Sequence, residues 1–170
     1  GTFVKLLTST ISSTVSNLEI SDTYVNSTYD DYFILFNALP SVDNRNFQVL
    51  FHQGGAFDTG NNYGVETYNM VANTGVSSNG TSAITIAQSG VGNATGEHTS
   101  GYFYLRDVNS TVVTTTINGQ YNITTNTGNH TGGNISGGQI MSARTNPVRG
   151  LRFQFNSDDI ASGVITLYGV

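Results

Sequence analysis

The sequence predicts an all-β protein built as an antiparallel, jelly-roll-like β-sandwich. Three observations predict it. Thr, Ser, Asn and Gly make up 79 of the 170 residues; Thr favours strands, and the other three favour turns and caps over helix interiors. Short runs of strand periodicity recur between turn residues, and no window carries the helical period over two turns or more. Finally, 170 residues is the size of one domain, and nine Phe with nine Tyr give it the material for a core. No repeat of fixed period is present, which argues against a solenoid or propeller. No linker divides the chain, so residues 1–170 are read as a single domain. Uneven run lengths and nearly continuous apolar runs favour a two-layer sandwich over a closed barrel.

The expected strands follow in order. Thr2 to Leu7 is the first. A Ser/Thr-rich stretch with Val15, Leu18 and Ile20 comes next. Asp31 to Leu39 is almost wholly apolar and ends at Pro40, which lacks a ladder donor. Asn46 to Gln53 alternates, with Phe47, Val49 and Phe51 on one face, until Gly54-Gly55 breaks it. Tyr63 to Val71 sets Val65, Thr67 and Asn69 against Glu66, Tyr68 and Met70. Ser82 to Gln88 and the aromatic Gly101 to Arg106 follow. Ser110 to Thr125 reads as a hairpin, because Asn118-Gly119 is the strongest short signal for a tight turn. Thr127 to Gly138 reads as a Gly/Asn loop, and Gln139 to Arg144 as a weak strand. Gly150 to Asn156 alternates with Leu151, Phe153 and Phe155 on one side, and Gly163 to Val170 closes the chain. The total is about ten strands.

Composition excludes several function classes. Charged residues are 10% of the chain, against about 25% in an average domain. The net charge is −5, Lys5 is the single lysine, and five Arg accompany it; such a chain has no basic footprint for nucleic acid. No apolar run approaches the length of a membrane-spanning helix, so no membrane partner is expected. The absence of Cys removes disulfides, thiolate metal sites and cysteine nucleophiles. It also leans towards assembly in a cytoplasm, since small secreted domains are commonly disulfide-rich.

Candidate chemistry is sparse. His52, His98 and His130 have no metal-ligand spacing. Glu97-His98 would point to opposite faces of a strand. Asp30-Asp31 and Asp158-Asp159 are adjacent pairs, which cannot by themselves supply the separated carboxylates of a glycosidase. Asp58 and Glu66 have no pattern linking them. Asp30, Asp31, Asp43 and Asn44 offer oxygen atoms for calcium, but turn capping accounts for them as well. Gly54-Gly55 and Gly132-Gly133 lack the lysine and context of a phosphate loop. The expectation is no catalytic residue, no cofactor and no metal: a protein that is not an enzyme. Seven N-x-S/T sequons, at Asn26, Asn79, Asn93, Asn109, Asn122, Asn129 and Asn134, are close to what this composition yields by chance. Tyr102 and Tyr104 share a strand face opposite Phe103. That pattern fits a core Phe103 beneath two tyrosines at a rim or interface, or a platform for stacking on sugar rings.

The closing segment, GLRFQFNSDDIASGVITLYGV at Gly150 to Val170, resembles the C-terminal strand pair of β-sandwich proteins from tailed-phage virions. These jelly-roll domains serve as capsid decoration or cement proteins and as tail-fibre or appendage tips. Arg152, Phe153 and Phe155 match an alternating strand; Ser157, Ile160 and Gly163 match the turn; Ile165, Leu167, Tyr168 and Gly169 match the last strand. Asp158 departs from the pattern, where glycine is common. Tyr29 to Leu39 with Pro40, and Phe47 to Gly55, are similar to an earlier strand pair, and Tyr63 fits the tyrosine that follows it.

This resemblance implies a non-enzymatic structural protein of a bacteriophage virion. The expected role is a capsid decoration or cement protein that binds the major capsid protein or another virion protein. The alternative is a receptor- or carbohydrate-binding tip of a tail fibre or head fibre, with a host-surface glycan as partner. A fibre tip follows a shaft, whereas the first strand here begins almost at once, which leans the expectation to decoration. Exposed strands lack the Lys and Glu that discourage edge pairing, so a homo-oligomer is expected, a trimer by analogy with the phage proteins.

Overall fold

The computed structural model describes residues 2–70, 73–140 and 146–170. Those residues contain thirteen strands and no helix, packed as two antiparallel sheets. In chain order they are β1 (Val4–Ile11), β2 (Leu18–Ile20), β3 (Tyr32–Pro40), β4 (Arg45–Gln53), β5 (Ala56–Phe57), β6 (Tyr63–Asn69) and β7 (Thr74–Thr81). β8 (Ile84–Val91), β9 (Thr99–Arg106), β10 (Thr116–Thr124), β11 (His130–Gln139), β12 (Val148–Phe155) and β13 (Ile160–Gly169) complete the chain. The large sheet has eight strands in the order β1-β13-β3-β9-β10-β11-β6-β7. The small sheet runs β2-β12-β4, with β5 and β8 sharing the other edge of β4.

The two halves of the winding meet at the chain ends. β3 and β4 lie in opposite sheets, as do β12 and β13, and β13 pairs with β3 while β12 pairs with β4. The last strand therefore sits inside the large sheet, between β1 and β3. The chain is a β-sandwich, as its composition and periodicity predict.

Period-two alternation fills the core. Phe47, Val49 and Phe51 of β4 and Leu151 and Phe153 of β12 are fully buried, with Phe155 at 3% exposure. They meet Tyr32, Ile34 and Phe36 of β3, Phe103 of β9 and Leu167 of β13. Ring centroids of Phe47 lie 5.6 Å from Phe36 and 5.0 Å from Phe155, within the range of favourable aromatic pairs. Asp158 occupies the left-handed region (φ 67°), which explains why glycine suits that position, and its carboxylate is ion-paired with Arg45.

Two expectations fail for one reason. Asn118-Gly119 is no turn; both residues lie inside the continuous strand β10. Thr127 to Gly138 is no loop; most of it is β11, paired on one side with β10 and on the other with β6. The turn falls between them, at Thr125 to Gly128, where Gly128 has φ 75° and its N–H donates to the Thr125 carbonyl at 2.8 Å. In this sheet glycine is a strand residue that makes room for a ring. Phe36 lies directly opposite Gly101, Phe103 opposite Gly119, and Tyr121 opposite Gly133. A Cβ on Gly101 would sit 2.7 Å from the Phe36 ring, and one on Gly133 would sit 2.9 Å from the Tyr121 ring. On Gly119 it would fall 2.0 Å from the Tyr102 carbonyl oxygen and 2.6 Å from the Phe103 Cα. β7, a Gly/Ser/Asn strand, and the two-residue β5 have no apolar alternation and were not legible as strands. Of the expected strand Gln139 to Arg144, Gln139 ends β11 and residues 141–145 lie outside the described residues, as does Val71.

Buried phenols complete the core. The Tyr63 hydroxyl donates to the Asp58 carbonyl at 3.0 Å and accepts the Phe51 N–H at 2.9 Å. Burial holds its pKa far above the ordinary tyrosine value, and it raises those of Tyr32 and Tyr121 in the same direction.

Gly119→Ala is expected to lower unfolding free energy by about 1–3 kcal/mol through overpacking. Gly75→Ala, whose new methyl would meet nothing closer than 3.6 Å, is expected to change it little; denaturant melts of both variants check the contrast. The three raised phenols set an alkaline limit. Above about pH 10 the unfolded chain releases tyrosine protons that the folded chain retains, so stability is level below that pH and falls as pH rises beyond it. Melting temperatures measured from neutral to strongly alkaline pH test this, and a flat profile would contradict it.

Candidate functional site

The outward face of the large sheet is the most distinctive surface. Cross-strand register builds it in rows. One row runs Lys5, Tyr168, Phe33, Tyr104, Asn118, Ser136, Glu66, Ser77 from β1 to β7. The next runs Thr8, Thr166, Leu35, Tyr102, Gln120, Asn134, Tyr68, Gly75 along the same strands. Between Lys5 and Glu66 neither row carries a side chain that is charged at neutral pH. The rings gather in the β1–β9 half, and the β10–β7 half is mostly amide and hydroxyl, with Glu66 and the Tyr68 ring among them.

The rings form one cluster. Phe33 is its centre, 4.9 Å from Tyr104, 5.6 Å from Tyr102, 6.1 Å from Tyr168 and 5.1 Å from Phe3. Phe3 is 47% exposed and Leu35 40%. The Arg106 guanidinium stands 4.7 Å over the Tyr104 ring, and its Nη1 is paired with Asp31 at 2.8 Å. Beside the rings, the Tyr102 hydroxyl donates to Gln120 Oε1 at 3.1 Å, and Gln120 Nε2 donates to Asn134 Oδ1 at 3.3 Å. One-sided antiparallel sheets ordinarily present polar and charged side chains to water. A clustered aromatic surface is instead the mark of a contact face.

Phe103 is buried in the core and Tyr102 and Tyr104 are half-buried together on the outer face, so the alternation of that strand is read correctly. The partners of these tyrosines were missed. Phe33 and Leu35 were hidden in an apolar run that reads as buried on both sides. Gln120 and Asn134 lay in segments read as a hairpin arm and a loop.

The other candidate residues are dispersed. His52 packs edge-on to Phe57 at 5.0 Å, and His130 Nδ1 lies 3.3 Å from the Thr124 hydroxyl. Asp31 also accepts the Asp107 N–H, Asp30 accepts from Asn109, and Asp43 accepts the Asn93 N–H. Asp58 is bound by Gly60 and Asn62, and Glu97 by the Ala94 N–H. Among the described residues no group of three His, Asp or Glu is placed to hold a metal ion. The side-chain nitrogens of Asn26, Asn93 and Asn109 donate to main-chain carbonyls, and all three asparagines are half-buried. Compared with known proteins, the chain matches no family model, no curated relative and no solved structure.

Proposed function

We propose that this chain is a non-enzymatic structural protein of a virion, an oligomeric decoration protein held to a capsid surface by protein–protein contact. The observation that carries the reading is the outward ring cluster of Phe3, Phe33, Tyr102, Tyr104 and Tyr168, of which Phe3 is exposed and the others are half-buried. Aromatic residues are enriched where protein surfaces meet, and charged residues are depleted there. The resemblance of Gly150 to Val170 to phage virion sandwiches supports the same reading. Those residues supply β13 and most of β12, so the similarity falls on one interior strand of each sheet. In this account the aromatic half of the face joins copies of the chain, as a trimer, and the assembled trimer contacts the major capsid protein.

A second reading is favoured by the hydrogen-bonded Tyr102–Gln120–Asn134 ladder. Tyrosine rings beside carboxamides can stack on and hydrogen-bond a sugar, as in a glycan-binding fibre tip.

Light scattering at micromolar concentration is expected to give the mass of a trimer. The double variant Phe33→Ser with Tyr104→Ser is expected to give a folded monomer with unchanged circular dichroism. A monomeric wild-type chain, or a double variant that stays trimeric, would remove the aromatic face as the subunit contact. A monomer that also binds a neutral-glycan array through Tyr102 would move the second reading to first place.

A further inference from the structure

The large sheet is wider than the small one, and its far edge overhangs. Thr67 and Asn69 of β6 face inward, and their register partners on β7 are Val76 and Thr74. Thr67 is covered, at 3% exposure, but Val76 beside it is 46% exposed. Val76 is thus an inward-facing apolar side chain with no strand of the small sheet above it. Across the gap stand Asn44 and Asn46 at the start of β4 and Gln88, Ser89 and Gly90 at the end of β8. Together these residues line an open cleft of about 480 Å³, a size typical of small-ligand sites.

The cleft is made rigid from both sheets. The Thr67 hydroxyl donates to the Gln88 carboxamide oxygen, and Asn69 Nδ2 donates to the Ser89 hydroxyl at 3.2 Å. The Gly90 N–H donates to Asn46 Oδ1 at 3.2 Å, and the Asn44 N–H to the Val91 carbonyl at 2.9 Å. Three residues on this lip, Asn44, Ser89 and Gly90, have left-handed φ angles of 64°, 84° and 75°. For Asn44 and Ser89 this is a sparsely populated conformation, kept only where the surroundings impose it. These bonds use the carboxamide oxygens of Asn46 and Gln88, which leaves their NH2 groups as donors.

Among the described residues no ionisable side chain lines the cleft. Among those residues the polar groups are carboxamides and hydroxyls, and the apolar wall is Val76. Asn46 and Gln88 offer NH2 donors, and Asn44 offers a carboxamide with both a donor and an acceptor, a set that matches sugar hydroxyls, which both accept and donate. A charged ligand would find no counter-charge there. We propose that this inter-sheet cleft is a binding site for a neutral sugar ring, held by Asn44, Asn46 and Gln88 with a C–H face against Val76. The site lies apart from the outward tyrosine rows and does not rest on the capsid reading.

The test is a ¹H–¹⁵N titration of the whole chain with D-glucose, D-galactose and N-acetyl-D-glucosamine, with N-acetylneuraminic acid as the charged comparison. At least one neutral sugar is expected to shift the side-chain NH2 signals of Asn46 and Gln88 and the amides of Ser89 and Gly90, equally at low and high salt. Val76→Trp fills the cleft from its exposed lip and is expected to weaken that sugar about tenfold or more. Thr74→Trp, on the same lip, serves if Val76→Trp fails to fold. No shift with any neutral sugar would overturn the proposal. So would shifts confined to Tyr102, Tyr104 and Gln120, which would favour the outer-face glycan reading instead, or salt-sensitive binding of the acidic sugar alone.

Discussion

The fit of aromatic rings over glycines in neighbouring strands is the constraint on which the rest of this structure depends. The chain has no disulfide, and three ion pairs join its described residues, all partly exposed; pairs of that kind contribute little. Cohesion must come from packing between two sheets. In the large sheet, Gly101, Gly119 and Gly133 lie opposite Phe36, Phe103 and Tyr121, and a Cβ on any of them would run into neighbouring backbone, at Gly101 and Gly133 into the opposing ring as well. The register of β3, β9, β10 and β11 is therefore set by these pairs as well as by alternation, since a one-residue slip would drive a ring into a side chain. The high glycine content that looks like looseness in the sequence is part of the core.

That constraint also explains what the sequence made legible. Strands whose inward positions are Phe, Ile, Leu or Val could be read directly, and β4 and β12 have their expected faces. Asn118-Gly119 carries the strongest local turn signal in the chain, yet Gly119 lies inside a strand, where the Tyr102 carbonyl and the Cα and Cβ of Phe103 leave no room for a side chain. Local turn chemistry loses there to a tertiary contact 16 residues away in sequence. β11 and β7 are strands by pairing alone; their own residues carry almost no periodic apolar signal. The outer face was half legible. Tyr102 and Tyr104 announced themselves by alternation, but Gln120 and Asn134 join them only once β10 and β11 are recognised as strands.

The same alternation that fills the core sets up the surface. Each inward residue of β3 and β9 has an outward neighbour, and in this chain those neighbours are Phe33, Leu35, Tyr102 and Tyr104. The apolar outward set runs on through Tyr168 of β13 to Phe3 before β1, then gives way to carboxamides and hydroxyls beyond β9. A sheet that buries one face against its partner and carries an aromatic patch on the other has two faces to satisfy. In the proposed assembly, the outward patch is covered by neighbouring copies and the capsid shell, and the overhanging β6–β7 edge with its polar cleft remains open.

The central claim is that this chain decorates a capsid. A cryo-electron-microscopy map of the purified particle that carries it tests that claim most directly. The account predicts β-sandwich density at symmetric positions over the capsid lattice, with the faces bearing Phe33 and Tyr104 turned towards neighbouring copies. Density found only at a tail or fibre tip would contradict it.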